Sequence, residues 1–117
     1  MSSDIKRHSP GAILSRAVEY NGMVFLAGLT ADDCSVGVRA QTEQVLKKID
    51  EYLAAAGTSK SRILSVVIYL SDIRNKDEMN KAWQAWMDKD NPPARACVEA
   101  RLGAANTFVE IMTTAAK

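Results

Sequence analysis

Ile63-Leu64-Ser65-Val66-Val67-Ile68-Tyr69-Leu70 organises the rest of the chain around itself. The run is apolar, short and rich in β-branched residues. Such residues pack well on a pleated surface, and eight residues are few for a buried helix, so a buried strand is predicted. On its N-terminal side, Val38, Val45, Leu46, Ile49 and Leu53 recur at helical spacing, while Lys47, Lys48, Asp50 and Glu51 cover the other face. This predicts a helix from about Val38 to Ala56, with Asp33 or Ser35 as cap and Gly57 as the left-handed residue after its end. On the C-terminal side, Met79, Trp83, Trp86 and Met87 form an apolar stripe. A second helix is predicted over about Lys76–Met87, opened by an Asn75/Glu78 capping box, and its stripe is read as core rather than as a ligand box.

Further out, Tyr20-Asn21-Gly22 interrupts an apolar stretch. Asn-Gly between two such runs predicts a hairpin of Ala12–Glu19 with Met23–Ala27, after which Gly28 ends the strand. Pro92-Pro93 force extended backbone. Arg95–Ala100 and Thr107–Thr113 then read as strands, with Leu102–Asn106 as their loop. The expected order is two or three strands, helix, strand, helix, two strands. Two helices cannot cover both faces of such a sheet. Both are therefore expected on one face, with the other buried by oligomerisation.

The composition bounds the function. The 117 residues fit one domain, 1–117. A content of 47% hydrophobic and 25% charged residues is that of a soluble globular protein. The net charge of +1, with basic residues scattered, gives no support for a nucleic-acid or membrane partner. No apolar run approaches the roughly 20 residues of a membrane span, and the N-terminus lacks an apolar signal core. Cys34 and Cys97 have no CxxC spacing and too few companion ligands for zinc, so two free thiols, no metal and a cytoplasmic location are expected. His8, the single histidine, lies beside Ser9-Pro10 and reads as a surface residue. Without a second histidine, any Ser/His or Cys/His system would depend on it alone. Cys97 reads as a packed thiol.

The last two strands hold the candidate chemistry. Alternation puts Arg95, Cys97 and Glu99 on one face of their strand, and Phe108, Glu110 and Met112 on one face of theirs. If a hairpin turns at Gly103-Ala104, Cys97 lies opposite Glu110 and the two faces coincide. A slip of one residue would separate Arg95 from Glu110. Glu110 sits in the apolar run Phe-Val-Glu-Ile-Met, where a carboxylate needs a partner, and Arg95 is the candidate. Pattern alone leaves a structural ion pair, or a glutamate facing solvent, as open as a functional pair.

Pro93-Ala-Arg95-Ala-Cys97-Val-Glu99, followed by Val109-Glu110-Ile111, resembles the C-terminal signature of the RidA (YjgF-type) family. Met79-Asn80-Lys-Ala-Trp83 resembles the start of the family's second helix, and Met23-Val-Phe-Leu-Ala-Gly28 its early strand ending in glycine. The resemblance implies an α+β, chorismate-mutase-like fold, assembled as a homotrimer with sites in clefts between subunits. It implies hydrolysis of reactive enamines and imines of the 2-aminoacrylate type to 2-oxo acids and ammonia, with no cofactor. Position by position, Arg95 matches the arginine that binds the substrate carboxylate and Glu110 the glutamate that handles water. Cys97 matches a cysteine whose backbone contacts the substrate, and Asn80 an asparagine lining or buttressing the cleft. One departure stands out: where the family carries Gly-Pro-Tyr, this chain has Ile13-Leu14-Ser15, with Leu14 at the tyrosine position. The alternative is a non-catalytic protein that binds a 2-oxo acid in the same cleft.

Overall fold

The computed structural model describes residues 4–117. Its elements are β1 (Lys6–Pro10), β2 (Ser15–Tyr20), β3 (Met23–Leu26), α1 (Val38–Ala55), β4 (Ile63–Leu70), α2 (Lys76–Trp86), β5 (Ala94–Glu99) and β6 (Val109–Ala116). The strands form one mixed sheet in the order β1-β2-β3-β6-β4-β5. Only β4 and β5 run parallel, joined by the α2 crossover; the other neighbours are antiparallel.

The β2–β3 hairpin turns at Asn21 (φ 53°) and Gly22 (φ 77°), the two positive φ values that an Asn-Gly turn supplies at low cost. The strand β1, polar apart from Pro10, joins β2 at the sheet edge and extends the expected pair to three strands. Helix α1 ends in a Schellman arrangement: Gly57 (φ 81°) donates to the Ala54 carbonyl at 3.0 Å and Thr58 to the Leu53 carbonyl at 2.9 Å.

The other caps differ from expectation. Gly37 occupies the N-cap of α1 with no side-chain cap, because the Asp33 carboxylate is held by the amide and hydroxyl of Ser35. The Asn75/Glu78 capping box does not form either. Glu78 pairs with Lys81 at 2.7 Å, and Asp72 accepts instead from the Arg74 amide at the turn before the helix.

The hairpin expected between the last two strands is absent, because β4 lies between them. Strand β6 alternates buried Val109, Ile111, Thr113 and Ala115 with less buried residues, and it pairs on both sides, with β3 and β4. The mostly exposed β5 occupies the edge beyond β4. A strand entering through a helical crossover runs parallel to its predecessor, and parallel strands cannot be closed by a tight turn. With β5 placed on one side of β4 and β6 on the other, the loop after β5 crosses the end of β4 before the chain reverses.

One face of the sheet buries Val24, Leu26, Val66, Ile68, Leu70, Val109, Ile111 and Ala115 in a core with Val45, Leu46, Ile49 and Leu53 of α1 and Met79 and Trp83 of α2. Fully buried Gln41 ties this layer to two loops. Its amide nitrogen donates to the Val36 and Asn106 carbonyls at 3.0 and 2.9 Å, and its oxygen accepts from the Phe108 amide at 3.0 Å. Gln41→Leu keeps the volume but strands these backbone groups. It is expected to lower unfolding free energy by about 3 kcal/mol in urea titration.

The opposite face carries no helix. Strand alternation and register bring Tyr20, Met23, Phe25, Met112 and Val98 together there, and Tyr20, Phe25, Val98 and Met112 are 41% to 44% exposed. Contiguous exposed apolar surface is characteristic of interaction faces in general.

His8 is not the free surface residue expected. It pairs from β1 with Glu19 of β2, a buried carboxylate that also receives Lys117 Nζ at 2.6 Å. The hydrogen bonds from Lys117 and then His8 hold the Glu19 carboxyl below its ordinary value near 4.5, against the opposing effect of burial. A depressed carboxylate contributes stability above its unfolded pKa and loses it as pH falls through the folded value. Wild type is therefore expected to lose more of its urea midpoint than Glu19→Gln between pH 6 and roughly pH 3, a difference read directly from paired denaturation curves.

Candidate active site

Arg95 projects from edge strand β5 onto the helix side of the sheet, since its partner across the ladder is core residue Val66. Helix α2, crossing between β4 and β5, presents Asn80 and Trp83, three positions apart and so on one helix face. Arg95 Nη1 donates to Asn80 Oδ1 at 2.7 Å, and its guanidinium carbon lies 5.3 Å from the Trp83 ring centre. Among the described residues no carboxylate pairs with Arg95. An exposed guanidinium that is oriented but not neutralised suits a planar anion.

Cys97, two residues on, is half-buried on the same face against Ile68. Burial pushes its thiol up, with the charges of Arg95 and Lys76 opposing. Burial thus disfavours the thiolate, the form a nucleophile would need. Cys34 is also a free thiol. Glu99 is committed to structure: its carboxylate accepts from the Ile73 amide at 3.0 Å.

Glu110 lies elsewhere. On β6 it pairs with Tyr69, and Tyr69 in turn with Val98, which places Glu110 on the helix-free face. The register that would bring it beside Arg95 does not occur. Within one chain the two candidates project from opposite faces of the sheet. Glu110 is half-buried, and no hydrogen bond or ion pair holds its carboxylate among the described residues.

Its close neighbour is Gly28. The backbone after β3 is clamped to β6 by two bonds between Leu29 and Ile111, at 2.9 and 3.0 Å. A Cβ placed on Gly28 would overlap Glu110 Oε2 and lie 3.0 Å from its Cδ. Glycine here makes room for the carboxylate, a role not visible in a reading of Gly28 as a strand end. Gly28→Ala is expected to displace the Glu110 carboxylate while leaving the fold. The sign would be a Glu110 carboxyl resonance shifted in the variant's NMR spectrum with core methyl signals unchanged.

A cavity of about 640 Å³ opens at the C-terminal ends of β4 and β5, lined by Ser71, Glu99 and residues 100–105. Neither Arg95 nor Glu110 lines it. Leu14 sits in the β1–β2 connection and is 47% exposed. Among the described residues no group of three or more His, Cys, Asp or Glu side chains could hold a metal ion, and no helix is long and apolar enough to cross a membrane.

Residues 5–117 match the family model described as Endoribonuclease L-PSP. A RutC family protein of Haemophilus ducreyi is 46% identical over 102 residues, covering 87% of each chain. A RutC family protein of Haemophilus influenzae is 38% identical over 112 residues, covering 95% of this chain and 97% of its own. Among solved structures, a YjgF family member from Neisseria meningitidis superposes with a TM-score of 0.96 at 42% identity, covering 98% of this chain and 96% of the other. The mixed sheet with two helices on one face is thus the fold of that family as well. The near-complete coverage at these identities places this chain in the RutC/YjgF family.

Proposed function

We propose that this protein hydrolyses reactive enamine and imine carboxylates of the 2-aminoacrylate type, releasing 2-oxo acid and ammonia, and that it does so in the cytoplasm as a homotrimer. The observation that carries the reading is a complementary pair of unsatisfied charges. Among the described residues Arg95 is oriented by Asn80 and meets no carboxylate, while Glu110 lies against Gly28 with no hydrogen-bond or ion-pair partner. They sit on opposite faces of one sheet, and the face bearing Glu110 is apolar and uncovered. Stacking one subunit's helix-free face against the next supplies a cleft in which Arg95 of one copy and Glu110 of another share a substrate.

In that cleft Arg95 holds the substrate carboxylate through charge-assisted bonds, and Asn80 keeps its guanidinium in place. The backbone at Cys97 faces the nitrogen end of the substrate. 2-Aminoacrylate tautomerises to 2-iminopropanoate. Glu110 accepts a proton from water as the oxygen bonds to C2 while the imine nitrogen takes a proton from solvent; protonated Glu110 then returns its proton to that nitrogen as the C–N bond breaks, and the hydroxyl proton passes to solvent. The carbinolamine then loses ammonia and leaves pyruvate. The imine is reactive already, so orientation and proton handling carry the catalysis.

Support for RNA chemistry, suggested by the wording of the family description, is weaker. The net charge is +1, and the single histidine is taken up by Glu19. The test is ammonia release from enzymatically generated 2-aminoacrylate, together with sizing in solution. Acceleration by wild type that is lost in Arg95→Ala, from a trimer, is expected. Saturable pyruvate binding without turnover would instead mark a 2-oxo acid binding protein.

A further inference from the structure

Four side chains form a chain of contacts centred on two tryptophans of α2. Arg95 lies 5.3 Å from the Trp83 ring, Trp83 lies 5.5 Å from Trp86 at 52°, and Lys60 Nζ lies 5.2 Å from the Trp86 ring. The far end is tied down. Trp86 Nε1 donates to Asp50 Oδ2 of α1 at 2.9 Å, and Lys60 Nζ donates to the Trp86 carbonyl at 2.6 Å. Trp83 itself is 5% exposed and packed in the core, so its ring cannot turn away from Arg95 without disturbing the helix layer.

We infer that Trp83 is a positioning residue for Arg95: its buried ring is the floor that keeps the guanidinium extended from the edge strand with its free donors toward the ligand. The inference rests on the reading of Arg95 as the carboxylate anchor. An arginine on an exposed edge strand has many rotamers, and ordering it on binding costs affinity. Asn80 takes one of its five N–H donors. That single bond fixes one nitrogen and leaves the plane free to swing. The indole removes this freedom, because a cation is attracted to the negative face of the ring. With both contacts in place, the remaining donors form a preset fork for a planar carboxylate. Trp83 touches no reacting atom in this arrangement; it acts through Arg95, and its loss weakens ligand binding while leaving the water-handling half of the site alone.

The test is a pyruvate titration of isotopically labelled wild-type protein, Trp83→Phe and Trp83→Leu, followed by NMR through the Arg95 Nε–Hε signal. In wild type that signal is expected upfield of the other arginines from the ring current. Trp83→Phe retains both an upfield signal and pyruvate affinity within roughly threefold, whereas Trp83→Leu loses the upfield shift and binds about five- to thirty-fold more weakly. The same split appears in turnover as a raised KM with kcat preserved. An unshifted Arg95 signal in wild type overturns the inference without needing a variant, even where Trp83→Leu fails to fold. Equal pyruvate affinity in wild type and Trp83→Leu overturns it as well, and so does an equal loss in Trp83→Phe and Trp83→Leu, which marks packing alone. An upfield Arg95 signal in a wild-type protein that binds no pyruvate overturns the carboxylate reading of Arg95, and Trp83's role in binding with it.

Discussion

Glu110→Gln is expected to lower kcat for imine hydrolysis by about 10²- to 10⁴-fold, the range for losing one positioned general base. The substitution keeps side-chain size, so the close fit against Gly28 survives. In the proposed reaction it removes the ability to take a proton from water as the C–O bond forms. KM for the carboxylate substrate should move little, because Arg95 projects from the opposite face of the sheet and keeps its contacts with Asn80 and Trp83. Stability should also hold. Glu110 forms no ion pair or hydrogen bond among the described residues of its own chain, so no buried partner is stranded. Steady-state ammonia release, corrected for spontaneous hydrolysis, gives the comparison. A kcat close to wild type would remove Glu110 from the water-handling role.

Arg95→Ala has its effect on the other constant. Two charge-assisted bonds to a carboxylate, discounted for the exposed position, amount to roughly 3 kcal/mol, or about 10²-fold in kcat/KM. Most of the loss should appear as a raised KM. Arg95→Lys should recover only part of it, since an ammonium keeps the charge but not the planar fork, and it stacks less well on Trp83. The fold should tolerate both changes, because Arg95 is exposed on an edge strand and its removal leaves only the Asn80 amide to be hydrated. Equal activity in wild type and Arg95→Ala would sink the deaminase reading.

The two variants together separate the halves of the site. A subunit carrying only Arg95→Ala and one carrying only Glu110→Gln each retain one intact half. If the cleft is shared between copies, mixed oligomers of the two should regain part of the activity that each lacks alone. Sites confined to one chain would gain nothing by mixing.

Local patterns were read correctly where the information is local. Strand Ile63–Leu70, the Asn21-Gly22 turn, the apolar stripes of both helices and the left-handed Gly57 all follow from side-chain periodicity and backbone sterics within a few residues. The motif around Arg95, Cys97 and Glu110, with Asn80 ahead of it, was likewise enough to identify the family before any coordinates. Helix caps were less legible. Asp33 and Asn75 both had the chemistry to cap, but a short polar side chain can bond to several nearby backbone groups. Which one it reaches depends on the loop path.

Non-local facts were out of reach. Gln41 falls on the apolar stripe of α1, and a polar residue there was the available signal of a buried tether; its partners Asn106 and Phe108 are far away in the chain. Glu19 alternates with Ala17 on the core face of β2, yet its partners come from both ends of the described chain. The relation between Arg95 and Glu110 is the sharpest case. Alternation correctly placed each within its own strand. Only the sheet order decided that β4 separates those strands and that the two side chains leave opposite faces.

The sequence by itself determined the elements, the family and the residues on which chemistry is expected, because these depend on residue type, spacing and motif. The tertiary structure decided which of them meet. Arg95 meets Asn80 and Trp83, Glu110 meets Gly28, and the helix-free face gathers exposed Tyr20, Phe25, Val98 and Met112. Strand pairing is chosen by the burial of whole faces and by the parallel crossover through α2. Neither is a property of any short stretch of the chain.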